Sequence, residues 1–145
     1  MARRPRIGSV VSGTLRPRDL IEAFADELAS LDSAGKYRNL VAEARALDPD
    51  SDDATEVLSE LEQSLGELSP PYVFFGAHPG DGADFGYWVD HEAIERDRRE
   101  GTLPSGDELP EDGSLVGHYL HVSDHGNLEY YVWKRSRWRS EWGIV

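Results

Sequence analysis

Cysteine is absent from the 145-residue chain. That excludes disulfides, a thiolate nucleophile and Cys-ligated zinc, and leaves histidine and carboxylates as the strong metal ligands. Lysine occurs only at Lys36 and Lys134, so arginine carries nearly all the positive charge, a bias of genomic composition or salt adaptation that specifies no function. No apolar run approaches the roughly 20 residues that span a bilayer. The basic start Ala2-Arg3-Arg4-Pro5-Arg6 is not followed by the apolar stretch of a secretory signal, so the expectation is a cytoplasmic protein without a membrane anchor. Also missing are H-E-x-x-H, the G-x-S-x-G elbow, the P-loop and the EF-hand loop. These absences point away from an enzyme and imply no cofactor.

What the chain does have is enough apolar material for a core. It is 39% hydrophobic, with four Trp, six Tyr and four Phe, and its length suits one domain spanning residues 1–145. The formal net charge of −13 is unevenly spread. The N-terminal 16 residues carry Arg3, Arg4, Arg6 and Arg16 and no acid; the last 14 carry Lys134, Arg135, Arg137 and Arg139 against Glu141. Between these basic ends lies a body of about −20. A field of that sign repels phosphates and anionic lipid, so the body is expected to bind neither nucleic acid nor membrane and to prefer a basic protein partner.

Residues 1–13 form a basic arm or an edge strand around Ile7 to Val11. Leu20, Ile21, Phe24, Leu28 and Leu31 predict an amphipathic helix from Pro17 to Leu31, ended by Gly35. Tyr37, Leu40, Val41, Ala44 and Leu47 predict a second helix before Pro49. Asp53 with Glu56 three residues later has the form of a capping box opening a third helix, striped at Val57, Leu58, Leu61, Leu65 and Leu68 and closed by Pro70-Pro71. Beyond it, residues 72–75, 85–89, 116–122, 128–133 and 138–145 read as strands, 90–99 as a short charged helix and 101–114 as a surface loop. The expected fold is α+β: about three helices in residues 17–69 packed on an antiparallel sheet of four to five strands in residues 72–145.

The most unusual local feature is the glycine-rich stretch from Gly76 to Gly86. As a loop, it would hold His78, Asp81 and Asp84 either as turn-forming side chains or as ligands of a divalent ion. In the strand at 116–122, alternation puts Val116, His118, Leu120 and Val122 on one face and Tyr119 and His121 on the other. His118 and His121 are then no ligand pair, and His118 reads as a hydrogen-bonded core residue. Asp124-His125-Gly126-Asn127 reads as a turn.

Asp52, Glu56 and Glu60 follow i, i+4, i+8, a row with steps of about 6 Å that tracks roughly every second phosphate of a DNA strand. Asp48, Asp50, Asp53, Glu62 and Glu67 lie nearby. Such a face is either a solvated surface or a DNA-like charge pattern. The tail from Trp133 to Trp142 interleaves Arg and Trp. It reads as a hairpin with a basic turn, the arginines covering Trp faces or pairing with the acidic body, and its aromatic edge gives a route to a homodimer.

The run from Ser69 to Phe74 leading into Phe75-Gly76-Ala77-His78-Pro79-Gly80-Asp81-Gly82-Ala83-Asp84-Phe85-Gly86-Tyr87-Trp88, with Asp124-His125-Gly126-Asn127 later, resembles small uncharacterised proteins carried by bacteriophages and mobile elements. The resemblance covers about half the chain. It implies a genomic setting in which small acidic proteins inhibit host defence or remodel host enzymes. The leading expectation is therefore a non-enzymatic inhibitor that sets Asp52, Glu56, Glu60, Glu62 and Glu67 against a nuclease or another nucleic-acid-binding complex. The alternatives are a small metal-dependent hydrolase or ligand-binding domain at His78, Asp81 and Asp84, and an immunity or antitoxin protein.

Overall fold

The computed structural model describes residues 3–144; Ala2 of the basic start and Val145 of the last expected strand lie outside the described residues. The fold is α+β, with four helices and two sheets. By its internal contacts the chain divides into two compact units, Met1–Val89 and Asp90–Val145. The β-rich half expected as one sheet is thus shared between two. The helices of residues 17–69 pack on the first sheet.

In the first unit, α1 (Pro17–Leu31) buries Leu20, Ile21, Phe24, Ala25, Leu28 and Leu31, the apolar stripe read from its spacing. The helix stops at Leu31, short of Gly35. Asp32 turns the chain by accepting the N–H groups of Lys36 and Tyr37 at 2.9 and 2.7 Å, ahead of α2 (Arg38–Ala46). The third helix, α3 (Ala54–Glu67), follows a turn rather than a capping box: Asp53 has helical backbone angles, and its side chain caps nothing. Residues 8–12 take the edge-strand option as β1 (Gly8–Ser12).

The glycine-rich stretch is mostly strand. Residues β2 (Val73–His78) and β3 (Asp81–Val89) form an antiparallel hairpin across Pro79-Gly80, and the sheet order is β1-β3-β2. Aromatic alternation explains why the chain stays extended there. Phe75, Phe85 and Tyr87 take the inner face, where Phe24 of α1 meets Phe75 and Phe85 edge-on at 5.1 and 5.5 Å.

The buried Tyr87 hydroxyl donates to Glu27 of α1 at 2.8 Å, and Arg3 of the basic start pairs with the other oxygen of the same carboxylate. Burial, then this bond, pushes the Tyr87 phenol well above its ordinary pKa. Glu27→Ala would leave a buried hydroxyl without its acceptor. The expected loss is about 1–3 kcal/mol, read as a lower urea midpoint, and Glu27→Gln should recover part of it.

The second unit opens with α4 (His91–Glu100). It is capped by the Asp90 carboxylate on the Ala93 N–H at 3.1 Å and closed by Gly101 at φ 80°. The expected loop 101–114 holds a two-residue strand, β4 (Ser105–Gly106), parallel to β5 (His118–Val122). Residues Leu128–Lys134 and Arg137–Ile144 form β6 and β7, antiparallel neighbours of β5 in the order β4-β5-β6-β7. Val116, expected in a strand, is outside β5 and exposed. Ile94, Leu103, Leu120, Tyr130 and Trp142 are buried. Burial pushes the Tyr130 phenol up to about 12, with the Glu141 charge adding to the effect.

Candidate functional site

The acidic segment is built on α3 and the turn before it. From Asp48 to Glu67 the chain carries eight carboxylates and no Lys or Arg. Val57, Leu61 and Leu65 hold one side of α3 in the core. With 100° per residue, Glu56, Glu60, Gln63 and Glu67 then share the opposite, exposed side. Asp52 precedes the first helical residue, so the row of Asp52, Glu56 and Glu60 is helical only from Glu56 onward. Glu67 extends it, about 10 Å further along the axis than Glu60. None of Asp52, Glu56 and Glu60 has a cationic partner among the described residues. Glu67 accepts the Tyr37 hydroxyl at 2.9 Å, and burial together with that bond raises the Tyr37 pKa.

Glu62, expected beside the row, lies apart from it. It lies on the flank of α3 turned toward β2, where a side chain at Gly76 would meet its carboxylate at 3.6 Å. Burial lifts the Glu62 carboxyl above the usual carboxylate range. A raised carboxyl costs stability when charged, a penalty present above the folded pKa and lost as pH falls below the unfolded value of about 4.3. Glu62→Gln is therefore expected to raise the melting temperature near neutral pH. Thermal scans should show that advantage vanish at acidic pH; a gain that persisted there would point to another cause.

The His78, Asp81 and Asp84 side chains do not converge. His78 accepts the Gly80 N–H at its Nδ1 (2.9 Å) and stands edge-on to Trp88, with ring centroids 4.7 Å apart. Asp81 accepts the Ala83 N–H at 3.0 Å, and Asp84 takes the Ser9 hydroxyl at 2.5 Å across the β1–β3 pair. Each side chain thus serves local backbone or strand pairing, and among the described residues no group of three His, Asp or Glu is arranged to hold a metal.

Among the other histidines, His118 bonds the Tyr130 hydroxyl at 2.9 Å and the Thr102 carbonyl at 2.8 Å, while His121 reaches the Asp107 carbonyl at 2.9 Å. The two rings have separate partners.

Comparison with protein-family models, curated proteins and solved structures gives no match. The chemistry of the surface itself therefore carries the functional argument. No helix among the described residues is long and apolar enough to cross a membrane.

The basic tail is a hairpin turned at Arg135-Ser136, both at positive φ (53° and 64°). Trp133 and Trp138 stand edge-on with ring centroids 5.2 Å apart, and Trp138 Nε1 donates to the Pro110 carbonyl at 2.7 Å. Arginine stacking on those rings is not observed among the described residues; the cation–π contact found is Lys36 over Tyr37. Sequence reasoning missed Leu115, which is 98% exposed at the tip of the loop ahead of β5. The signal was a Leu-Val pair set between Gly113 and Gly117, a loop spacing that does not suit a strand.

Proposed function

We propose that this chain is a non-enzymatic binding protein that inhibits a basic, nucleic-acid-binding enzyme by covering its phosphate-binding groove with the exposed face of α3. In the phage or mobile-element setting that the sequence resemblance implies, the target is a host defence nuclease and the site of action the host cytoplasm. One observation carries the reading: eight carboxylates and no Lys or Arg between Asp48 and Glu67, with Glu56 and Glu60 exposed, unpaired and about 6 Å apart on one helix side. A solvated acidic helix commonly interleaves cations at i+4 to relieve self-repulsion, and α3 has none. Its charge is held ready for an external cation.

The test is capture from host lysate with the intact chain as bait, at low and high salt, beside a Asp52→Lys/Glu56→Lys/Glu60→Lys bait. A nucleic-acid-binding enzyme retained at low salt and released at high salt is the expected catch. The reversed bait should bind it about a hundredfold more weakly, on the order of 1 kcal/mol per reversed rim charge. Equal retention of the same enzyme by both baits would contradict the proposal. A cognate toxin in place of a defence enzyme would turn the reading to an immunity protein using the same surface.

A further inference from the structure

We propose that the second unit binds a primary ammonium group in the cavity beside His121 and Glu129. The two residues stand directly opposite each other on β5 and β6, and Glu129 stands opposite Gly143 on β7. The row crosses three strands on the sheet face opposite to the buried Leu120, Tyr130 and Trp142. Directly opposed side chains have Cβ atoms roughly 5 Å apart, so His121 and Glu129 can both reach one small group. Gly143 adds no side chain to the row, which opens there into a cavity of about 270 Å³ that Ser123 and Asn127 also line.

Both polar groups are oriented by residues that do not line the cavity. The Tyr131 hydroxyl donates to Glu129 Oε2 at 2.5 Å and the Ser140 hydroxyl to Oε1 at 3.0 Å. The first of these bonds, then burial, pushes the Tyr131 phenol up to about 12, so it stays a donor at neutral pH. His121 Nε2 lies 2.9 Å from the Asp107 carbonyl, which can only accept, so that nitrogen carries the proton. In the neutral ring Nδ1 is then an acceptor, and it has no hydrogen-bond partner among the described residues. Ser123 Oγ accepts the Asn127 N–H at 3.0 Å and the Ser123 N–H donates to the Asn127 carbonyl at 2.9 Å. These bonds hold the turn through backbone groups of Asn127 and leave its side-chain amide available.

Charge and donor count select the ligand. Glu129 brings a negative charge, His121 Nδ1 and the Asn127 amide oxygen bring two further acceptors, and no Lys or Arg lines the cavity. An ammonium head supplies three N–H donors together with the compensating charge. A neutral alcohol has one donor and no charge, and an anion would be repelled. Leu128 and Ile144 on the cavity wall suit a short alkyl chain behind the head. With His121 and Glu129 as its two strong ligands, the set falls short of the three or four that a resident zinc ion takes. None of these residues belongs to α3, so this site and the α3 reading can fail independently.

Proton–nitrogen NMR of the full chain, titrated with n-butylammonium chloride at a fixed ionic strength of about 0.15 M, tests it. The expected result is a saturable shift of the His121, Glu129 and Gly143 amides with a Kd on the order of 1 mM. Glu129→Gln keeps the side-chain shape and should weaken binding at least about tenfold; n-butanol should bind the intact chain at least about tenfold more weakly than the amine. Gly143→Val should exclude the amine by filling the open end of the row. A Cβ there would stand 3.5 Å from Glu129 Cγ, an ordinary contact, so the strand accommodates it. A parallel titration with Nα-acetyl-lysine amide distinguishes a protein lysine from a free amine as the source of the ammonium group, by which of the two binds more tightly. Absence of saturation overturns the proposal, as does binding indifferent to either variant or matched by n-butanol. Zinc chloride shifting the same amides at lower concentration than the amine would overturn the ammonium assignment in favour of a metal ion.

Discussion

Replacing Phe24 with alanine is expected to destabilise the first unit by about 3–5 kcal/mol. Phe24 is fully buried and is the α1 ring against which both long strands of the first sheet close, touching Phe75 of β2 and Phe85 of β3 edge-on. Phe75 in turn stands edge-on to Tyr87 at 5.1 Å, so the cavity would open in the middle of a connected aromatic set. Truncation removes the transfer energy of the ring, its edge-to-face contacts and the packing of the walls, which relax only partly. Hydrogen exchange resolves the effect by unit. Amides of α1, α3 and β3 should lose protection by the full amount, and an unchanged exchange rate there would show that the core does not hinge on this ring.

Gly86→Ala is the second large effect, expected to cost about 3 kcal/mol and to loosen β1 from the sheet. A Cβ at Gly86 would stand 2.8 Å from both the Gly8 carbonyl carbon and the Ser9 Cα, and nearer still to the Gly8 oxygen. Those atoms are backbone, so the strand itself must move. Here β1 crosses close over β3, next to the register shift between Ser9 and Val11. Gly82→Ala, in the same strand with open space around it, is the control and should stay within about 0.5 kcal/mol. Rapid proteolysis before Gly13 in Gly86→Ala and not in Gly82→Ala would bear this out; equal resistance of the two variants would contradict it.

These two residues also show what the sequence made legible. Phe24 belongs to a helical stripe whose spacing is local, so the start of α1 and its buried face could be read. The role of Gly86 depends on β1, whose Ser9 arrives from 77 residues earlier in the chain. Without that strand, the glycines from Gly76 to Gly86 read as a loop and left His78, Asp81 and Asp84 open as turn-forming side chains or ligands. In the structure, alternation of Phe75, Phe85 and Tyr87 outweighs the glycines and draws the stretch into strands. The division of the β-rich half had the same origin, because which strand pairs with which is non-local information. Composition located the acidic segment, but only the position of Asp52 before α3 and the turn of Glu62 toward β2 show which carboxylates share a side. The glycines on either side of Leu115 mark a loop, but its exposure depends on Gly113 fitting against two tryptophans of a later hairpin.

The central claim, that the α3 face stands in for nucleic acid, is tested most directly by competition on the enzyme recovered by capture. A short labelled duplex is bound to that enzyme and the intact chain is titrated in, with salt fixed because the phosphate contribution is salt-dependent. The account predicts that the chain displaces the duplex completely and that the Asp52→Lys/Glu56→Lys/Glu60→Lys variant does not. A ternary complex in which enzyme, duplex and chain are bound together would contradict it.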